Sequence, residues 1–167
     1  MVNSPASIRA HTLRAAAVAA AMSAALTSTA ASASASPAHR MFLLANMHTC
    51  DFQLVTTQLG RPGAKLFAEI TSDGYTAVAH IDMTNGADNG QYVVRVIPAP
   101  HAVLGCMPGD RGITTGTLAA DAFGSGSITL QAPIPTGTTG MWLAVDLPSP
   151  HSQIPQEFFS SNYIAPV

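Results

Sequence analysis

Residues 75–83 read YTAVAHIDM. Tyr75, Ala77, Ala79, Ile81 and Met83 share one side of an extended chain, and Thr76, Val78, His80 and Asp82 share the other. A period of two is the pattern of a strand with one face in a core and the other in water. Neighbouring segments repeat or shorten the pattern. QYVVRVI (91–97) alternates around Arg95, while GSITLQAPI (126–134) and GMWLAVDL (140–147) are β-branched or aliphatic runs bounded by Gly and Pro. No window after residue 36 offers an amphipathic helix.

The punctuation between these runs agrees. SDG (72–74), NGADNG (85–90), DAFGSG (121–126) and TGTTG (136–140) are turn clusters in which Gly and Asn take positive φ at little cost. They separate strands expected at 65–72, 75–83, 91–97, 113–121, 126–132, 141–147 and 161–165, after an opening strand within 43–57. Pro98, Pro100, Pro133, Pro135, Pro148, Pro150 and Pro155 then end strands or guard edges, because proline cannot donate to a ladder. The expectation is an all-β fold: a single antiparallel β-sandwich, immunoglobulin-like or Greek-key, of seven to nine strands. A small closed β-barrel is the alternative. The domain spans 42–167, after a short leader at 36–41.

The first 35 residues read differently. Arg9 and Arg14 precede an uncharged, mostly Ala run from Ala15 to Leu26, and then come Ala31-Ser32-Ala33 and Ala33-Ser34-Ala35. This order of charged, apolar and small-residue regions is that of a cleaved signal peptide. The run of roughly 12 residues is too short to span a membrane, which takes roughly 20. Export removes two of the basic residues, leaving Arg40, Arg61, Lys65, Arg95 and Arg111 against nine carboxylates, a formal charge of −4. Without a basic patch there is no footprint for nucleic acid or for an anionic membrane surface. The mature form is expected to be a monomer with no membrane span.

The stretch TLAADAFGSGSITL, 117–130, resembles a hairpin of the neocarzinostatin-like apoproteins and of other exported bacterial immunoglobulin-like domains, where D-A-x-G leads into an alternating strand. The resemblance implies an immunoglobulin-like fold with Asp121 and Gly124 at a hairpin tip and Gly126 at the start of the next strand. That family has two disulfides and a chromophore cleft. This chain has one cysteine pair, so ligand binding does not carry over.

Cys50 and Cys106 are the only cysteines, and an exported pair is expected to be oxidised. Such a cross-link stabilises by roughly 4 kcal/mol in the chain-entropy model. Val103-Leu104-Gly105-Cys106 has the letters of a lipoprotein box but lies far beyond the apolar run where such a box is read. In antibody-type domains a Trp follows the first cysteine, whereas Trp142 follows the second, so the bridge is expected to tie a terminal strand or a loop. Met107, Pro108, Gly109, Asp110 and Arg111 then form an exposed, tethered loop, the segment a protease inhibitor would present.

His48, His80 and His101 are the weak metal candidates, since His48 precedes Cys50 by two residues and His80 precedes Asp82 by two. Neither pair has further ligands at diagnostic spacing, and no metal or other cofactor is expected. A free thiol with His48 or His101 as base is the nucleophile alternative. NGADNG fails as a calcium loop, with Ala87 and Val96 where oxygen donors belong. The segment EFFSSNY (157–163) and Trp142 are read as core packing rather than a sugar platform. The function expected is a secreted noncatalytic binding or interaction module for an extracellular ligand or protein. A small-ligand or metal carrier is the alternative, and a protease inhibitor or small hydrolase a further one.

Overall fold

The computed structural model describes residues 37–57 and 60–167, so the stretch read as a signal peptide lies outside the described residues. Among the described residues eleven strands follow in chain order: β1 (His39–Leu44), β2 (Asn46–His48), β3 (Leu54–Thr57), β4 (Lys65–Ser72), β5 (Thr76–Thr84), β6 (Gln91–Ala99), β7 (Thr114–Ala119), β8 (Gly126–Pro133), β9 (Gly140–Leu147), β10 (Glu157–Ser161) and β11 (Ala165–Pro166). The all-β expectation holds. β1 begins at His39, inside the stretch read as a leader. The strand expected at 161–165 is instead β10, with the short β11 behind it. Glu157 to Ser161 is buried at every position, so the segment has no polar alternation to betray it.

One antiparallel sheet contains nine of these strands, in the order β7-β6-β9-β10-β1-β4-β5-β8 with β11 added to β9, and β2-β3 form a separate hairpin. Its middle is narrow: β1 and β10 share only the pairs Leu43↔Ser161 and Leu44↔Ser160. The sheet thus divides into two four-stranded halves, β8-β5-β4-β1 and β10-β9-β6-β7. Its free edges, β7 and β8, come together without a ladder, so the sheet is nearly closed into a barrel. Gly116 of β7 permits the approach, since a Cβ there would stand 2.6 Å from Leu130 Cδ2 and 2.8 Å from Ile128 Cδ1.

The 117–130 stretch is therefore a sharp turn but not a laddered hairpin, because β7 pairs with β6 and β8 pairs with β5. Asp121 holds the turn, its Oδ1 accepting from the N–H groups of Phe123 (2.8 Å) and Ser125 (2.9 Å). Those bonds lower its pKa by favouring the charged form, Ser125 most. Gly124 (φ 71°) passes so close to the Gly86 backbone that no side chain fits, and its carbonyl accepts from Gly86 N–H at 2.8 Å. Gly126 opens β8 against Ala119. The turn is thus knitted to the loop between β5 and β6.

The main core lies between the halves. Leu66, Ile70, Ile81 and Met83 come from one, and Tyr92, Val94, Leu118, Leu143, Val145 and Phe159 from the other. Burying each large aliphatic contributes roughly 1.5–3 kcal/mol. In β5 the inward residues are Ala77, Ala79, Ile81 and Met83, as the opening pattern requires, but Tyr75 precedes the strand and is exposed. Tyr92 donates to the buried Glu157 carboxylate at 2.6 Å and accepts from Ala87 N–H at 2.7 Å. Burial is the main reason its pKa is pushed up to about 12.

Behind β6, β9 and β10 lies a second, smaller core of Ile97, Ala99, Trp142, Ala144, Phe158, Cys50 and Cys106. These strands are buried on both faces because the β2-β3 hairpin and the loop after β6 cover the outer one. The Cys50–Cys106 disulfide joins the tip of that hairpin to that loop. It ties loops, as expected, and Trp142 packs in the same cluster despite its different place in the chain.

Candidate functional site

Arg95 is the centre of the covered half. Alternation along β6 turns it away from the main core, yet it is only 5% exposed because the cover closes over it. Its Nη1 donates to Cys106 O at 3.0 Å and reaches Met107 Sδ at 3.5 Å. Its Nη2 donates to Asp146 Oδ1 on β9 at 2.8 Å. The guanidinium also lies over Phe158, with Cζ 5.7 Å from the ring centroid, within cation–π range. Nε is buried without a partner among the described residues. Desolvation raises the Asp146 pKa, and the opposing pull of Arg95 does not cancel the rise.

His48 sits at the end of β2, its ring stacked on Phe52 with centroids 4.4 Å apart. Phe52 adopts φ 65°, a left-handed conformation rare for a bulky residue, in the turn where Thr49 N–H donates to Gln53 O at 2.9 Å. The His48 tautomer follows from its neighbour. Ser160 Oγ lies 2.7 Å from His48 Nδ1 and donates its single proton to Asn46 O at 2.9 Å. The hydroxyl must therefore accept from Nδ1–H, leaving neutral His48 with a bare lone pair on Nε2. Partial burial lowers the His48 pKa and favours this neutral form.

These groups line a cavity of about 430 Å³. Met47, Val93, Phe158 and the disulfide form apolar wall, with Ser149, Ser152 and Gln153 from the segment after β9 on another side. Four more lining residues are largely solvent-exposed: Val55 56%, Val103 52%, Leu104 77% and Met107 58%.

The residues singled out in the sequence separate in space. Cys50, Cys106, His48, Met107 and Pro108 meet at this cavity. Asp110 folds its loop back on itself, Oδ2 accepting from Met107 N–H at 2.7 Å, while Gly109 takes φ 90° and Arg111 stays exposed. His101 Nδ1 bonds the adjacent Ala102 carbonyl at 2.8 Å. His80 is on the opposite half, 2.8 Å from Thr129 Oγ1 and 3.2 Å from Asp82 Oδ2. No group of three or more His, Cys, Asp or Glu among the described residues is arranged to hold a metal ion. No helix among them is long and apolar enough to cross a membrane.

Arg95, Asp146 and the 148–155 wall were not anticipated. The available signal was a lone Arg in VVRVI and a lone Asp in LAVDL, each a charge inside an apolar run. Pairing them requires knowing that β6 and β9 are neighbours. No protein family, curated protein or solved structure matches this chain.

Proposed function

We propose that the protein is a secreted, noncatalytic binding module, acting as a monomer, that takes a small and largely apolar ligand into the cavity beside the Cys50–Cys106 disulfide. One observation carries the reading: Val55, Val103, Leu104 and Met107 stand exposed around a concavity of about 430 Å³. Apolar groups gathered at a concave site are where a ligand releases the most water, and the volume lies within the roughly 300–1,000 Å³ of small-molecule pockets. Asp146 and the lone pair of His48 Nε2 offer acceptors, so a ligand with one hydroxyl or N–H donor suits the site better than a pure hydrocarbon. The signal-peptide pattern and the disulfide support export.

Two features favour binding over chemistry or inhibition. Ser160, the hydroxyl bonded to His48, is fully buried and directs its hydrogen to Asn46 O rather than to His48, so the imidazole is not placed to deprotonate it. The Met107–Arg111 loop is closed by Asp110 into a tight turn, not held extended for a protease cleft.

The test is a titration with the neutral apolar dye N-phenylnaphthylamine, read by energy transfer from Trp142, the single tryptophan, which packs beside the disulfide. Saturable binding is expected, abolished by Val93→Trp, which fills the cavity. Absence of binding by the wild-type protein, or full binding by V93W, would overturn the reading.

A further inference from the structure

The second site lies on the opposite half and shares no lining residue with the cavity. The β1–β4 register sets Phe42 directly across from Phe67 on the outer face, with ring centroids 4.8 Å apart and planes tilted by 53°. Both rings are about half exposed, 54% and 47%, and no loop covers them as loops cover β6 and β9. On one side of the pair is a depression of about 450 Å³ lined by Arg40, Glu69, His80 and Asp82. On the other is one of about 350 Å³ that includes Lys65 and Leu44. The rings thus form a ridge between two hollows, with hydrogen-bonding side chains on the neighbouring strands.

We propose that this face binds an uncharged polysaccharide chain laid across the strands. The chemistry of the patch selects that class. Its formal charges balance: Arg40 and Lys65 stand against Glu69 and Asp82, Arg40 Nε donates to Glu69 Oε2 at 2.8 Å, and His80 Nε2 lies 3.2 Å from Asp82 Oδ2. A ligand of strong net charge therefore gains little here. A flat apolar partner would strip water from these ionisable side chains without offering them hydrogen bonds in return, which is costly. A sugar ring has a C–H face that packs on an aromatic ring and a rim of hydroxyls that both donate and accept. It covers Phe42 and Phe67 while its hydroxyls donate to Asp82 and Glu69 and accept from Arg40. Two hollows flanking one aromatic ridge fit a chain of rings rather than a single sugar. Of the aromatics the sequence offered for sugar stacking, Trp142, Phe158 and Phe159 are buried and Tyr163 is partly buried.

The test is affinity electrophoresis of the full mature protein in native gels containing arabinoxylan, mixed-linkage β-glucan, glucomannan or pullulan, with pull-down on insoluble chitin and cellulose. Retention by at least one polymer is expected. It should weaken about tenfold or more in Phe42→Ala/Phe67→Ala, weaken also in Asp82→Asn, and persist in Val93→Trp, which separates this site from the cavity. Unchanged thermal melting of these surface variants checks that they remain folded. Three results would overturn the proposal: no retention by any polymer, retention indifferent to the Phe substitutions, or sedimentation showing self-association that F42A/F67A abolishes, which would assign the face to a second copy of the chain.

Discussion

The outer faces of the two halves begin alike and end differently. On β4 and β5 the outward side chains, among them Phe67, Glu69, His80 and Asp82, stay in water. On β6, β9 and β10 the outward Arg95, Ile97, Trp142, Ala144 and Phe158 are buried under loops. A sheet with one apolar face can stand open, but strands apolar on both faces need a second layer. Here that layer has little secondary structure of its own, so the disulfide must hold it, and a cavity remains where loops do not fill the space as side chains fill a core.

Removing the staple should have the largest effect. Cys50→Ser/Cys106→Ser is expected to lower stability by about 4 kcal/mol, measured by urea unfolding, and to abolish dye binding. A loss below about 1 kcal/mol would mean that the cover holds itself. Next comes the contrast between outward phenylalanines. Phe158→Ala should lose about 3 kcal/mol, while Phe67→Ala should change stability by no more than about 0.5 kcal/mol. Comparable losses at the two sites would erase the distinction between the halves.

The ion pair under the cover follows. Asp146→Leu takes from Arg95 Nη2 its acceptor and is expected to lower stability by about 2 kcal/mol, less than at a fully buried pair because Asp146 keeps some solvent contact. Arg95→Met/Asp146→Leu should recover most of that loss. The pH dependence has a definite sign. Burial raises the Asp146 pKa above 3.8, so the folded state holds this proton more tightly than the unfolded state. Its contribution is most favourable below pH 3.8 and declines as pH rises through the raised folded value. That decline should be missing from a D146N stability profile.

The smallest effect concerns His48, whose folded pKa is lowered below 6.5. Between the folded pKa and 6.5 the unfolded state binds more protons, so stability falls as pH drops through that window. His48→Gln should flatten this part of the curve. An identical slope would mean that His48 titrates freely.

The same contrast decides what could be read in advance. YTAVAHIDM announced its strand because water on one face forces polar residues into alternate positions. Glu157 to Ser161, buried throughout, carried no such mark, and the last strand was placed a few residues too late. The disulfide followed from the signal-peptide pattern and the cysteine count alone. The cavity did not, because Arg95 and Asp146 are 51 residues apart and meet only through the β6–β9 ladder. The turn at Asp121 was legible from local chemistry, but the partners of the strands it joins were not, since pairing is a property of the whole sheet.

The central claim is that the small apolar ligand binds in the covered half. It is tested most directly by titrating wild type, Val93→Trp and Phe67→Ala with N-phenylnaphthylamine under one set of conditions, reading energy transfer from Trp142. Saturation in wild type and Phe67→Ala, with none in Val93→Trp, is the expected result. Binding that survives Val93→Trp, or disappears with Phe67→Ala, would contradict the claim.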